Sequence, residues 1–201
     1  MTDFFSSEEK KFIFIHIPKT GGTSVKKILS GKIKIDGFKT NGELVEYDKN
    51  THIRINKKQF KKYNDYYKFV FVRHPYDWMK SYYNFHSNKS DFYKNITSKK
   101  IKNTITVSFD EWLDELKIFN QTDFFTHGDE ILVDKVCRLE KFEEELKYVL
   151  EKININSEFE NIKMKDSKKF NINTIKNLND KQKKMIQKIC AKDFRLLHYK
   201  Y

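Results

Sequence analysis

The chain has 201 residues, which predicts a single domain over residues 1–201 that can bury a core without disulfide bonds. Its 40 Lys and Arg outnumber its 28 Asp and Glu, and the net charge of +12 favours partners that carry phosphate or sulfate groups. The aromatic content of 15% excludes a disordered chain, and the lack of a long apolar run excludes a transmembrane helix. No leader pattern is visible at the start, so we expect a soluble protein of the cytoplasm.

The first half of the chain predicts two buried strands, each followed by a helix. Residues 11–18, KFIFIHIP, form a nearly continuous apolar run that is typical of a strand in a parallel sheet. A glycine pair follows, and the residues after it predict a helix that ends at Gly31. Residues 67–73, YKFVFVR, predict a second strand that a His-Pro pair ends, and residues 76–86 predict the next helix.

The second half of the chain predicts one more strand and several helices. Residues 108–111, SFDE, form a capping-box pattern and predict a helix that runs through about residue 119. Residues 131–139 predict a third strand and residues 141–152 a helix, while residues 179–190 predict a last helix before KDFRLLHY. Because strands alternate with helices, the pattern predicts an α/β fold with a mainly parallel central sheet flanked by helices.

The most specific feature is the segment IPKTGGTS, residues 17–24, between the first strand and the first helix. Its two glycines allow a tight turn that brings backbone N–H groups together, and the helix adds the positive end of its dipole. Thr20, Thr23 and Ser24 can add hydroxyl donors, and Lys19 adds a mobile positive charge. The segment therefore predicts a cradle for phosphate or sulfate. It is not a Walker A loop, in which the Lys follows the second glycine.

HIPKTGGTS resembles the 5′-phosphosulfate loop of sulfotransferases that use 3′-phosphoadenosine 5′-phosphosulfate (PAPS). It is most similar to the carbohydrate branch, which includes the heparan sulfate 2-O-sulfotransferases and bacterial relatives. FVFVRHPYDWMKSYYNF resembles the family's 3′-phosphate element, a strand that ends in Arg, here Arg73, and a helix with Ser eight residues later, here Ser81. Where the family often has a second basic residue this chain has Trp78, which we expect in the core or near the adenine.

Four further segments resemble parts of the same family in the same order: SFDEWLDEL, QTDFF, CRLEKFEEEL and KDFRLLHY. The resemblance implies a P-loop-like three-layer fold and a soluble enzyme of bacterial or viral type. It implies in-line transfer of the sulfuryl group from PAPS to a hydroxyl of a carbohydrate or glycan acceptor, an anionic one included, with adenosine 3′,5′-bisphosphate as product. The nucleotide-binding residues that it implies are Pro18, Lys19, Thr20, Gly21, Gly22, Thr23, Ser24, Arg73 and Ser81.

Sulfuryl transfer requires a base for the acceptor hydroxyl and a positive charge for the leaving phosphate. Lys19 suits the second role. The resemblance implies His52 as the base, because a similar His precedes the 3′-phosphate strand in the 2-O-sulfotransferases. Related branches use a carboxylate, so a nearby acidic residue remains an alternative; the candidates are Glu43, Glu46 and Asp48. We expect His16 in the core, His74 at a turn, and no metal, since no cluster has metal-ligand spacing.

Two other classes of protein remain open at this point. One is a P-loop kinase-like phosphotransferase, which would need a Walker Lys that the loop does not place correctly. The other is a basic protein that binds nucleic acid, but no reader module is visible. The Lys-rich segment 152–188 carries Ile, Phe, Met and Leu at core-like spacing, which favours folded structure over a basic tail. We therefore expect no nucleic-acid partner, and the sequence does not indicate the oligomeric state.

Overall fold

The computed structural model describes residues 3–33, 36–37, 45–47, 53–55, 60–87, 108–116, 120–156 and 175–201. Contacts within the chain divide it into two compact units. The first unit comprises residues 1–73 and 121–165, and the second comprises residues 74–120 and 166–201. The single domain over residues 1–201 stays a prediction.

The described segments contain both strands and helices. The strands are β1 (Asp3–Ser7), β2 (Phe12–His16), β3 (Asp36–Gly37), β4 (Val45–Tyr47), β5 (Ile53–Ile55), β6 (Tyr67–Val72), β7 (Thr126–His127), β8 (Glu130–Ile131) and β9 (Lys135–Arg138). The helices are α1 (Gly22–Ser30), α2 (Pro75–Ser87), α3 (Phe109–Glu115), α4 (Phe142–Lys152), α5 (Asp180–Ile189) and α6 (Ala191–Leu197). Short 3-10 helices cover Lys61–Tyr63, Thr122–Phe124 and Leu139–Lys141.

The first unit contains a sheet with the strand order β3-β1-β2-β6-β9. β2, β6 and β9 run parallel, with Ile15 opposite Val70 and Val72 opposite Arg138. β1 pairs with β2 in the antiparallel sense, and β3 pairs with β1 in the antiparallel sense. The sequence pattern did not predict either strand. The structure confirms the mixed α/β fold with parallel strands at its centre. In such a sheet the residues that follow β2 and β6 lie at the same edge.

Both faces of the parallel strands are buried. On one face, the rings of Phe14 and Phe69 stack with centroids 5.0 Å apart. They share a core with apolar residues of α1 and α4, among them Val25, Ile28, Leu29, Leu146, Val149 and Leu150. The opposite face carries Ile13, Ile15 and Val70, which are also buried. This double burial explains why β2 and β6 are nearly continuous apolar runs in the sequence.

Most predicted elements are confirmed to within one or two residues at each end. β2 and β6 lie inside the predicted strands, and α1 has Gly31 at its carboxyl end as predicted. The capping box of α3 is also confirmed, because the Ser108 N–H donates to Glu111 Oε2 at 2.7 Å and the Glu111 N–H donates to Ser108 Oγ. α3 ends at Glu115, earlier than predicted, and residues 117–119 lie outside the described part.

The predicted strand over residues 131–139 is confirmed only over Lys135–Arg138. The structure has β8, which pairs with β7, and a separate β9, which pairs with β6. The chain turns between them, where the Asp134 N–H donates to the Lys68 carbonyl at 2.8 Å and the Lys68 N–H donates to Asp134 Oδ2 at 2.7 Å. Because of this turn, β8 and β9 pair with different strands, and an apolar run in the sequence does not show such a division.

The second unit is helical in its described part and contains α2, α3, α5 and α6. Pro75 is the first residue of α2, where its missing N–H costs nothing, so the His-Pro pair starts a helix as well as ending a strand. Trp78 is fully buried, which confirms its expected place in the core. The helices in the described part of the chain are too short or too polar to cross a membrane.

Candidate functional site

The loop after β2 has an unusual backbone that its own side chains hold in place. Lys19 adopts a left-handed conformation with φ of 69°, and Gly21 does so with φ of 84°. The left-handed region costs a residue with a side chain about 1–2 kcal/mol, so surrounding contacts must hold Lys19 there. One such contact is visible: the buried Thr20 hydroxyl donates to the Ile17 carbonyl at 2.8 Å. The Thr20 hydroxyl is therefore engaged within the loop, and its role as a donor to a ligand stays a prediction.

Gly22 is required by a close approach of the loop to the end of β2. A Cβ atom built on Gly22 would overlap Cδ2 of the His16 ring, far inside van der Waals contact. The His16 ring also packs near Phe5 and Phe14, with centroids 5.9 and 6.1 Å away. The residue is half-buried, so its predicted place in the core is confirmed only in part. The sequence assigned both glycines to a tight turn, but only Gly21 has a turn conformation.

Replacing Gly22 by Ala is expected to force His16 out of its place and to destabilise the first unit. Overpacking of this kind typically costs about 1–3 kcal/mol of unfolding free energy. Urea denaturation of the variant and the unmodified protein would measure this difference. Gly31→Ala is the matched control, because a Cβ at Gly31 would meet nothing closer than 3.4 Å. If both variants unfold at the same urea concentration, the contact between Gly22 and His16 is not a constraint on the loop.

The first turn of α1 carries backbone N–H groups that can donate hydrogen bonds to a ligand. Gly21 is the N-cap residue, and its carbonyl accepts from the N–H groups of Ser24 and Val25 at 2.9 and 3.2 Å. The N–H groups at the very start of a helix have no carbonyl partner within the helix. The first turn of α1 contains no acidic residue, Thr23 is exposed and Ser24 is half-buried. This end of α1 can therefore donate hydrogen bonds to an anion, with the helix dipole in support.

Arg73 lies at the same sheet edge as the loop. It directly follows β6, and β6 pairs in parallel with β2, which the loop follows. Continuing the alternation of β6, position 73 falls on the face of Phe69 and Phe71, which is the face that α1 covers. The side chain is half-buried, and a guanidinium there offers a planar fork for a phosphate group.

Gln121 fixes the main chain of Arg73. The Arg73 N–H donates to Gln121 Oε1 at 2.8 Å, and Gln121 Nε2 donates to the Arg73 carbonyl at 2.7 Å. Gln121 is fully buried and precedes the 3-10 helix Thr122–Phe124. No motif in the sequence marks Gln121 as a site residue, and its only signal is the weak resemblance of QTDFF to the family.

Of the remaining candidates, one lies in the second unit, one has only its backbone described, and three lie outside the described residues. Ser81 is half-buried in α2, which belongs to the second unit. His52, Glu43 and Asp48 lie outside the described part, and the backbone of Glu46 lies in β4. The base therefore stays a prediction.

His74 shapes the turn before α2, as the sequence predicted. Its Nδ1 accepts from the Tyr76 N–H at 3.3 Å, and its Nε2 lies 3.2 Å from the Lys200 carbonyl oxygen. Both ring nitrogens therefore have structural partners within the second unit, and the ring serves as a cap for the helix.

Cysteine and metal chemistry find no support in the described part of the chain. Cys137 and Cys190 are buried, and burial raises the pKa of the Cys137 thiol, with the charge of Glu145 adding to the effect. Because the thiolate is the reactive form, Cys137 is a core residue and not a nucleophile. No group of three or more His, Cys, Asp and Glu that could hold a metal is found among the described residues. The expected lack of a metal stays a prediction.

A glycine loop and an arginine at the carboxyl edge of adjacent parallel strands are typical of α/β proteins that bind phosphate or sulfate groups. Comparison with protein families makes this more specific, because the model described as "Sulfotransferase family" matches residues 2–200. The chain belongs to this sulfotransferase family, whose fold is P-loop-like, and it is therefore a transferase of sulfuryl groups. Comparisons with curated proteins and with solved structures give no match. The family match favours sulfuryl transfer over the phosphotransferase and nucleic-acid alternatives.

Proposed function

We propose that this sulfotransferase takes the sulfuryl group from PAPS and transfers it to a hydroxyl of a carbohydrate-type acceptor. The observation that carries the proposal is the placement of the loop 17–24 and Arg73 at one edge of two adjacent parallel strands. PAPS has anionic groups at both its 5′ and 3′ ends, so it requires two such anion sites. The sequence resemblance favours the heparan sulfate 2-O-type branch and a bacterial or viral type.

The loop is proposed to hold the 5′-phosphosulfate. The backbone N–H groups at the start of α1 would donate to its oxygens, with the hydroxyls of Thr23 and Ser24 as further donors. The Thr20 hydroxyl is engaged with Ile17, so Thr20 would contribute only through its backbone. Pro18, Gly21 and Gly22 would contribute by shaping the loop.

The 3′-phosphate is proposed to bind Arg73. A bidentate contact from its guanidinium would account for the placement of an arginine directly after β6. The sequence resemblance adds the Ser81 hydroxyl to this contact. Recognition of the 3′-phosphate would distinguish PAPS and its product from nucleotides such as ATP.

In the proposed reaction the acceptor oxygen attacks sulfur in line with the bond that breaks. A new S–O bond forms to the acceptor, and the bond from sulfur to the bridging oxygen breaks, so negative charge develops on the phosphate. Lys19 stabilises that charge. The hydroxyl proton passes to a base, for which we propose His52, with Glu43, Glu46 or Asp48 as the alternatives.

The acceptor is proposed to be a carbohydrate or glycan, and an anionic one suits the net charge of +12. The test is a calorimetric titration of the protein with adenosine 3′,5′-bisphosphate, ATP and an oligonucleotide, followed by an acceptor screen with labelled PAPS. Preference for the bisphosphate and labelling of a glycan would support the proposal. Preference for ATP would indicate a phosphotransferase, and preference for the oligonucleotide a nucleic-acid-binding protein. The location in the cytoplasm stays a prediction.

The Arg73→Ala variant is expected to bind adenosine 3′,5′-bisphosphate more weakly by about 2–3 kcal/mol, as for the loss of a charge-assisted contact. Calorimetry on the folded variant measures this. Adenosine 5′-monophosphate, which lacks the 3′-phosphate, is the control ligand, and its affinity should change little. Unchanged affinity for the bisphosphate would remove Arg73 from the 3′-phosphate site.

A further inference from the structure

We propose that Gln121 is a positioning residue that sets the specificity of the site for the 3′-phosphate by holding Arg73. This inference rests on the proposed function, because it assumes that Arg73 contacts the 3′-phosphate. Gln121 does not touch the nucleotide in this proposal. It acts only through the main chain of Arg73.

The two hydrogen bonds between the Gln121 side chain and the main chain of Arg73 lie directly beyond the last paired residue of β6. Val72, paired with Arg138, is the last residue of β6 in the register with β9, and Arg73 is the next residue. Beyond the ladder, the N–H and carbonyl of Arg73 bond to the Gln121 side chain at 2.8 and 2.7 Å. The side-chain amide thus extends the ladder by one residue, and it does so at the residue that carries the guanidinium.

The chemistry of the side chain matches this task. An amide both donates and accepts, so one group can satisfy the N–H and the carbonyl of the same residue. Asn has the same amide on a shorter stem, and Glu can only accept when it is ionised. Gln is therefore long enough to make both bonds, as Asn is not, and it adds no charge beside Arg73, as an ionised Glu would.

Gln121 is itself held by a well-bonded segment. It is fully buried, and its carbonyl accepts from the Phe124 N–H at 3.1 Å. The Phe125 N–H and the Thr126 hydroxyl both donate to the Thr122 carbonyl, at 3.1 and 2.9 Å. The rotamer entropy of the amide is therefore lost on folding and not on ligand binding, which is how a supporting residue pre-organises a contact.

The test compares two nucleotides in the variant Gln121→Met, which keeps the length of the side chain and removes both hydrogen bonds. Because misplacement of a binding group by about 1 Å can weaken its contact severely, we expect about tenfold weaker binding of adenosine 3′,5′-bisphosphate. Binding of adenosine 5′-monophosphate should change by no more than about twofold, since the loop contacts are intact. Calorimetry measures both affinities, and the double variant with Arg73→Ala should lose no more than Arg73→Ala alone.

Thr126→Val is the matched control, because it removes a buried hydrogen bond from the same segment without touching Arg73. It should lower the unfolding midpoint while keeping the preference for the 3′-phosphate. If the Gln121→Met variant does not fold, Gln121→Asn carries the same comparison, since it keeps an uncharged amide on a stem too short to make both bonds to Arg73. It should lose part of the preference.

The outcomes separate this inference from the proposed function. If the unmodified protein binds the bisphosphate no more tightly than the monophosphate, the proposed donor is wrong. If it prefers the bisphosphate and the Gln121 variants keep that preference, the positioning role is overturned. Equal weakening of both nucleotides would also overturn it, because it would indicate only a structural role.

Discussion

Replacing Lys19 by Ala should lower kcat by about 10²–10³ while the affinity for adenosine 3′,5′-bisphosphate changes much less. The physical reason is that the charge on the bridging oxygen grows only as the S–O bond breaks. A cation that follows this charge stabilises the transition state more than the ground state. Steady-state turnover with labelled PAPS, together with calorimetry on the same preparation, measures the two effects separately.

Two control variants test whether the lost charge is the cause. Lys19→Met keeps the aliphatic stem, and, like Lys and Ala, it must adopt the left-handed backbone with φ of 69°. It should therefore lose as much turnover as the Ala variant. Lys27→Ala removes an equal charge from an exposed position in the last turn of α1 and should turn over normally. Near-normal turnover in both Lys19 variants would remove this residue from the mechanism.

Some features of the loop 17–24 follow from its sequence motif, and others depend on packing. The strand, the glycine pair and the helix with Gly31 at its end follow from local preferences, and the structure confirms them. The positive φ of Lys19 and the contact of Gly22 with His16 do not follow, because they depend on how closely the loop approaches β2. A motif therefore identifies the kind of ligand that the loop suits, whereas packing determines which groups face that ligand.

The rest of the site depends on contacts between distant parts of the chain. Gln121 is 48 residues from Arg73 in sequence, and it bonds to main-chain atoms that are alike in every residue. No pattern of residue types in the sequence predicts such a contact. The division of residues 131–139 into β8 and β9 has the same origin, because Asp134 turns the chain by bonding to the main chain of Lys68.

Arg73 and Lys19 are proposed to divide the work between binding and catalysis. Arg73 would recognise a phosphate whose charge is the same before and after transfer, so its loss should mainly weaken binding. Lys19 would act on a charge that changes during the reaction, so its loss should mainly slow turnover. The buried Gln121 amide supports the first function, and the constrained backbone of the loop supports the second.

Replacing His52 by Ala should have the largest effect, a fall in turnover of about 10²–10⁴, which is the usual range for loss of a general base. The affinity for adenosine 3′,5′-bisphosphate should be nearly unchanged, because a base contacts the acceptor hydroxyl. In the unmodified protein, turnover should also fall at low pH, since only the neutral imidazole can accept a proton. Turnover across pH and calorimetry on one preparation measure all three quantities.

His127→Ala is the matched control, because it removes an exposed histidine of β7 that has no place in the proposed mechanism. It should leave turnover and its pH dependence unchanged. If turnover survives in the His52 variant, the base is one of the carboxylates, and Glu43→Gln, Glu46→Gln and Asp48→Asn identify which. If nucleotide affinity falls together with turnover, His52 supports the donor site and is not the base. Its role is therefore decided by whether the two effects separate, because removal of a base slows proton transfer without weakening a phosphate contact.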